Sequence, residues 1–160
     1  TNTTKRLSSR KGLSIAATLA SILLIAGFIL LQNLPTIALA VSGRKAGLSA
    51  HVPKGIPSNF AMDRKIIYAK GELTFSFKSR VDDRNFSITM QKSPDFTSES
   101  LRSAISLNTK GNFQTYQAGG ITLFLKGAGE ADWIDGGLRY SLGGNSGLSS
   151  EQLATIATSL

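Results

Sequence analysis

Residues 72–78 read ELTFSFK, and their strict alternation decides the fold. Leu73, Phe75 and Phe77 fall on one side of an extended chain, with Thr74, Ser76 and Lys78 on the other. That is the period-two pattern of an antiparallel strand with one face buried and one face wet. Working outward, Lys70-Gly71 supplies a turn, and residues 63–69, with Ile66, Ile67 and Tyr68, read as a preceding strand. On the other side Asp82-Asp83-Arg84 turns the chain, and Phe86, Ile88 and Met90 repeat the alternation. The three segments form a meander.

Ser93-Pro94-Asp95 breaks the pattern. Leu101, Ala104, Ile105 and Asn108 then recur at helical spacing, so residues 97–108 predict a helix, capped by Thr97 or Ser98 and closed by Gly111. Glu99 sits near its positive end. Strands follow at 113–117 and 121–126, separated by Gly119-Gly120. Residues 132–134 and 138–142 flank Asp135-Gly136-Gly137, the clearest hairpin signal in the chain. Ser149 and Gln152 have capping-box spacing and open a last helix with Leu153, Ile156 and Leu160 on one face. Strands, helix, strands and helix make an α+β domain, an antiparallel sheet with helices packed on it.

Residues 13–31, LSIAATLASILLIAGFILL, have a different character. Nineteen residues pass without a charge, and as a helix they span roughly 28 Å, close to a bilayer's hydrocarbon thickness of about 30 Å. The expectation is one transmembrane helix. The formal charge of +8 belongs largely to its flanks. Lys5, Arg6, Arg10, Lys11, Arg44 and Lys45 are six cations with no acid before residue 46, leaving twelve basic against ten acidic residues in the remainder. That distribution is topogenic and argues against nucleic acid as a partner. Four cations close to the N-terminal end of the span, against two distant ones beyond it, place the N-terminus in the cytoplasm and residues 51–160 outside the cell membrane. Ala38-Leu39-Ala40 resembles a signal-peptidase site, the alternative reading, but the apolar run exceeds the usual signal core of about 7–15 residues. An uncleaved anchor is preferred. Residues 1–12 are then a basic cytoplasmic segment. Residues 32–50 form an interfacial stalk and linker, with Pro35 starting a new helical turn and Ser42, Gly43 and Gly47 loosening the chain.

The candidate chemistry is thin. With no cysteine, thiolate metal sites, cysteine nucleophiles and disulfides are excluded. His51 is the single histidine and falls in the expected linker, which leaves a zinc site or a Ser-His-Asp triad little to draw on. Glu130, Asp132 and Asp135 are the densest acidic group. Their spacing lacks the EF-hand pattern, and the expectation is a solvent-facing strand with a turn aspartate. Trp133 and Tyr140 read as core aromatics. Gly119-Gly120, Gly127-Ala128-Gly129 and Gly143-Gly144 read as turns, since none leads into the Lys-Ser/Thr of a phosphate loop. Arg64, Lys65, Lys70, Lys78, Arg80 and Arg84 read as a solvated face. The residues therefore designate no catalytic set, no cofactor and no metal.

The closing run ADWIDGGLRYSLGGNSGLSSEQLATIATSL resembles the end of the bacterial domain-of-unknown-function family 4367. The matching positions are Trp133, Tyr140, Gly143, Leu148, Ser149, Glu151, Leu153, Ile156, Ala157, Ser159 and Leu160, and VPKGIPSNF at 52–60 is similar to its proline-glycine opening. The similarity covers roughly residues 50–160. It implies an extracytoplasmic domain outside a single membrane helix, in some members within anti-sigma-like regulators, and it carries no catalytic residues. Twelve residues precede the span, too few for a sigma-binding domain, so an anti-sigma role requires a longer N-terminus than this sequence has. The overall expectation is a non-catalytic binding or sensing domain tethered to the bilayer. Its partner would be an envelope protein or polymer, with an assembly subunit acting through the membrane helix as the alternative.

Overall fold

The computed structural model describes residues 4–92, 95 and 97–160, with side chains from residue 15 onward. The expected break at Ser93-Pro94 and the side chains of the basic segment 5–11 lie outside the described residues. Two compact units are present, one ending at Leu34 and one spanning Pro35–Leu160.

Helix α1 runs Thr4–Ala46. Its stretch Ile15–Ala46 is the one helix among the described residues long and apolar enough to cross a membrane by length and composition. Ser21 Oγ donates to the Ala17 carbonyl at 2.9 Å, and Asn33 Nδ2 to the Ile29 carbonyl at 2.9 Å, so both polar side chains satisfy themselves within the preceding turn.

The second unit differs from expectation at its start. Pro35 lies inside α1 instead of opening a new helix, and the helix continues to Ala46. Proline's fixed φ is itself helical, and the missing N–H removes one intrahelical bond. Part of the segment read as stalk belongs to the folded core: Leu39 is fully buried, and Ala46 and Leu48 are nearly so. The Ala46 carbonyl also accepts from Gly71 N at 2.8 Å. The folded unit thus begins at Pro35, not at residue 51.

Among the described residues seven strands follow: β1 (Phe60–Ala69), β2 (Glu72–Ser79), β3 (Asn85–Lys92), β4 (Gln114–Ala118), β5 (Ile121–Gly127), β6 (Glu130–Asp135) and β7 (Leu138–Gly143). Helix α2 (Ser98–Thr109) lies between β3 and β4, and α3 (Ser150–Ala157) ends the chain. The strands form one antiparallel sheet in the order β1-β2-β3-β7-β6-β5-β4. Two meanders are therefore joined through β3 and β7, and the α+β class holds. Both helices carry full capping boxes, Thr97 with Ser100 and Ser149 with Gln152. At the β6–β7 hairpin Asp135 pairs with Leu138, so the turn residues are Gly136 and Gly137.

One face of the sheet carries Leu73, Phe75, Phe77, Phe86, Ile88, Met90, Trp133, Tyr140 and Leu142 in a single core cluster, closed by Leu153, Ile156 and Ala157 of α3 and by Leu39, Ala46 and Leu48. On the opposite face α2 packs over β5 and β6, where Leu101 and Ile105 meet Phe124, Phe113 and Ile134.

Candidate functional site

The face under α2 is built by alternation in β6. Ala131 and Trp133 enter the main core, so Asp132 and Ile134 must point to the other side. There Asp132 is 1% exposed. Its carboxylate accepts from Ser141 Oγ at 2.6 Å and pairs with Lys126 Nζ at 2.9 Å and Arg139 Nη2 at 3.2 Å. This corrects the solvent-facing reading of Asp132: α2 covers the neighbouring β5–β6 surface, and the carboxylate is retained in the interior because three donors from β5 and β7 satisfy it. Glu130 is half-buried and Asp135 exposed, so the three acids of the sequence cluster sit in three environments.

The register extends this site into a row across all seven strands. Pairing places Ile67, Thr74, Thr89, Ser141, Asp132, Phe124 and Thr115 side by side. Thr74 and Thr89 share a hydrogen bond of 2.9 Å between their hydroxyls. Ser76 and Ser87 pair two residues along on the same face, and the hydroxyl residues of β2, β3 and β7 are half-buried while Thr115 is exposed. Beside β4 the row opens into a cavity of about 420 Å³ lined by Ser98, Glu99, Arg102, Thr115, Gln117, Thr122 and Phe124. Gln117 Nε2 donates to Thr122 Oγ1 at 2.8 Å in its wall. A second cavity of about 450 Å³ lies on the other face of β4, between Tyr116 and Ala118 and the α3 residues Glu151, Ala154, Thr155 and Thr158.

The remaining candidates are placed as follows. His51 is exposed, and its Nε2 lies 3.0 Å from the Ser159 carbonyl, while Lys54 N donates to Ser159 Oγ at 3.0 Å. The entry segment is thereby stapled to the chain's end, so His51 is pinned rather than freely solvated. Trp133 and Tyr140 stack with ring centroids 5.2 Å apart and an interplanar angle of 4°, inside the core. Burial raises the Tyr140 hydroxyl pKa above its ordinary value, and the Asp135 charge adds to the shift. Trp133 Nε1 is buried and has no hydrogen-bond partner among the described residues.

Of the basic residues in the first meander, Lys78 pairs with Asp63 at 3.1 Å and Arg84 with Asp82 at 2.8 Å. Hydrogen bonds from Arg84 and then Ser79 hold the Asp82 pKa down at about 2. The Arg84 guanidinium also lies 5.6 Å from the Phe60 ring centroid. Among the described residues no three His, Asp or Glu side chains converge as metal ligands.

A carboxylate engaged by two cations and a hydroxyl is occupied as an acceptor, so Asp132 is suited to tying β5, β6 and β7 together rather than to taking a substrate proton. Residue-by-residue reading missed it, although a signal was present. Counting back from the Gly136-Gly137 turn places Ser141 opposite Asp132 and Arg139 two pairs from it, on the same face. No family model matches this chain, and no curated protein or solved structure is detectably similar to it.

Proposed function

We propose that this chain is a single-pass membrane protein of the bacterial cell envelope, anchored through residues 13–31, with its N-terminus cytoplasmic and a non-catalytic α+β domain outside. The observation that carries the reading is the apolar surface of α1. Ile15, Leu19, Ile22, Leu23, Leu24, Ile25, Phe28, Ile29, Leu30 and Leu31 are each more than half exposed. At roughly 2 kcal/mol per large apolar side chain, keeping them in water costs about 20 kcal/mol, more than a domain's net stability of about 5–15 kcal/mol. Lipid removes that cost, and the helix satisfies its own backbone. The four cations on its N-terminal side support the orientation.

The binding surface in this reading is the part of the sheet beyond α2, where Thr74, Ser76, Ser87, Thr89 and Ser141 present hydroxyls in register. Hydroxyls donate and accept, which suits a hydrogen-bonding envelope protein or polymer. Two experiments test the reading. Alkaline carbonate washing should leave the full-length product in the membrane pellet, and its release intact would refute the anchor. A photo-crosslinking side chain at Ser76 or Ser87 should capture an envelope component in intact cells, whereas one at Leu107, 82% exposed on α2, should not. Equal capture at both places would remove the hydroxyl face as the binding surface.

A further inference from the structure

The sheet has two edges, and they are built differently. Edge strand β1 loses register between Met62 and Ile66, and the irregularity holds three charged residues, Asp63, Arg64 and Lys65. Bulges and charges of this kind keep an edge from pairing with another chain. At the opposite edge β4 reads QTYQA, without charge, proline or irregularity, and keeps unbroken register with β5 from Gln114↔Leu125 to Ala118↔Ile121. Gln114, Thr115 and Gln117 are exposed. An edge strand turns alternate N–H and C=O groups outward, and β4 has neither of the protections found in β1.

We propose that β4 pairs with β4 of a second copy of this chain, antiparallel about a two-fold axis at Tyr116. A two-fold axis sets a strand against itself, so Thr115 meets Gln117 of the copy, and Gln114 meets its Ala118. Thr and Gln side chains both donate and accept, and a neutral strand suffers no like-charge opposition. The same operation on β1 would bring Arg64 and Lys65 against their own copies. The cavities described above flank β4 on both faces, beside α2 and α3, and leave room for side chains of the incoming strand. At the α2 side the wall carries Glu99 and Arg102, opposite signs one turn apart, so this surface can face itself without net repulsion. This pairing is independent of which partner the hydroxyl face binds.

The chain contains no cysteine, which makes the register directly testable. Full-length Thr115→Cys and Gln117→Cys chains, co-expressed and gently oxidised in mild detergent, should form a disulfide-linked dimer. Directly opposed residues sit at about the 5.5 Å Cα separation a disulfide needs. Either variant alone should cross-link several-fold less, and Ile67→Cys on β1 should form no disulfide-linked dimer. In light scattering the unsubstituted chain should have twice the protein mass of Gln117→Lys, with the Trp133 fluorescence of the two unchanged. Three results would overturn the proposal: a monomeric unsubstituted chain, a dimer that persists in Gln117→Lys, or cross-linking through Ile67→Cys as efficient as through the 115/117 mixture. Capture of a different protein's strand along β4, with the chain itself monomeric, would also overturn it.

Discussion

Leu39 separates two accounts of the segment between the membrane span and the sheet. If residues 35–46 were a stalk at the bilayer surface, shortening Leu39 would leave the outer domain's stability unchanged. In the structure the side chain is fully buried in the main core cluster, while Val41, two residues on, is 45% exposed. Leu39→Ala removes buried carbons and leaves a cavity, and such changes cost about 2–5 kcal/mol. A value of about 3 kcal/mol is expected, because the site is closed by helix and sheet together. Val41→Ala, at an exposed position, should cost no more than about 0.5 kcal/mol. For a unit of this size 3 kcal/mol lowers the melting temperature by about 10 °C. Trp133 is the single tryptophan and is fully buried, so its emission during thermal unfolding of the full-length chain in mild detergent reports this core. Equal melting temperatures for the two variants would refute the assignment of residues 35–46 to the folded unit.

Three further outcomes are expected. Asp132→Asn keeps the shape and the Ser141 contact but leaves Lys126 and Arg139 without their shared anion. Because those cations are 25% and 29% exposed, the loss should be about 2 kcal/mol, below the value for a fully buried pair, and visible as a lower urea midpoint. Gly129 has φ of +79° and abuts Ser146, whose Oγ donates to the Gly129 carbonyl at 2.9 Å and accepts from Leu148 N at 3.2 Å. Gly129→Ala adds left-handed strain of about 1–2 kcal/mol and displaces that serine, so about 3 kcal/mol should be lost in the same urea titration. Asp82 is depressed from 3.8 to about 2, so its contribution is complete above the unfolded value and disappears as pH falls through the folded one. Melting temperatures of the unsubstituted chain and Asp82→Asn should therefore differ at neutral pH and converge between about pH 4 and 2.

The first meander was legible because β2 and β3 each have one buried face. The Leu73-Phe75-Phe77 and Phe86-Ile88-Met90 rows need no tertiary information, and the Thr97 and Ser149 caps are equally local. Residues 35–46 were not legible for a physical reason. Leu39 and Ala46 are apolar in either setting, and periodicity does not distinguish a lipid boundary from a protein core. Asp132 shows the complementary limit. A polar residue in an alternating strand reads as solvent-facing, and its burial follows from where α2 lands and from β5, β6 and β7 being neighbours. The contrast between the guarded edge β1 and the bare edge β4 was also hidden, since the composition of a strand does not say whether it lies at an edge.

In the proposed topology one helix crosses the membrane and the sheet lies outside, and accessibility labelling reads both sides at once. Single-cysteine chains Ser8→Cys and Leu107→Cys would be exposed to a membrane-impermeant maleimide in intact cells and again after lysis. Leu107→Cys should be labelled in intact cells, and Ser8→Cys should react only once the membrane is opened. Labelling of Ser8→Cys in intact cells, or protection of Leu107→Cys until lysis, would contradict it.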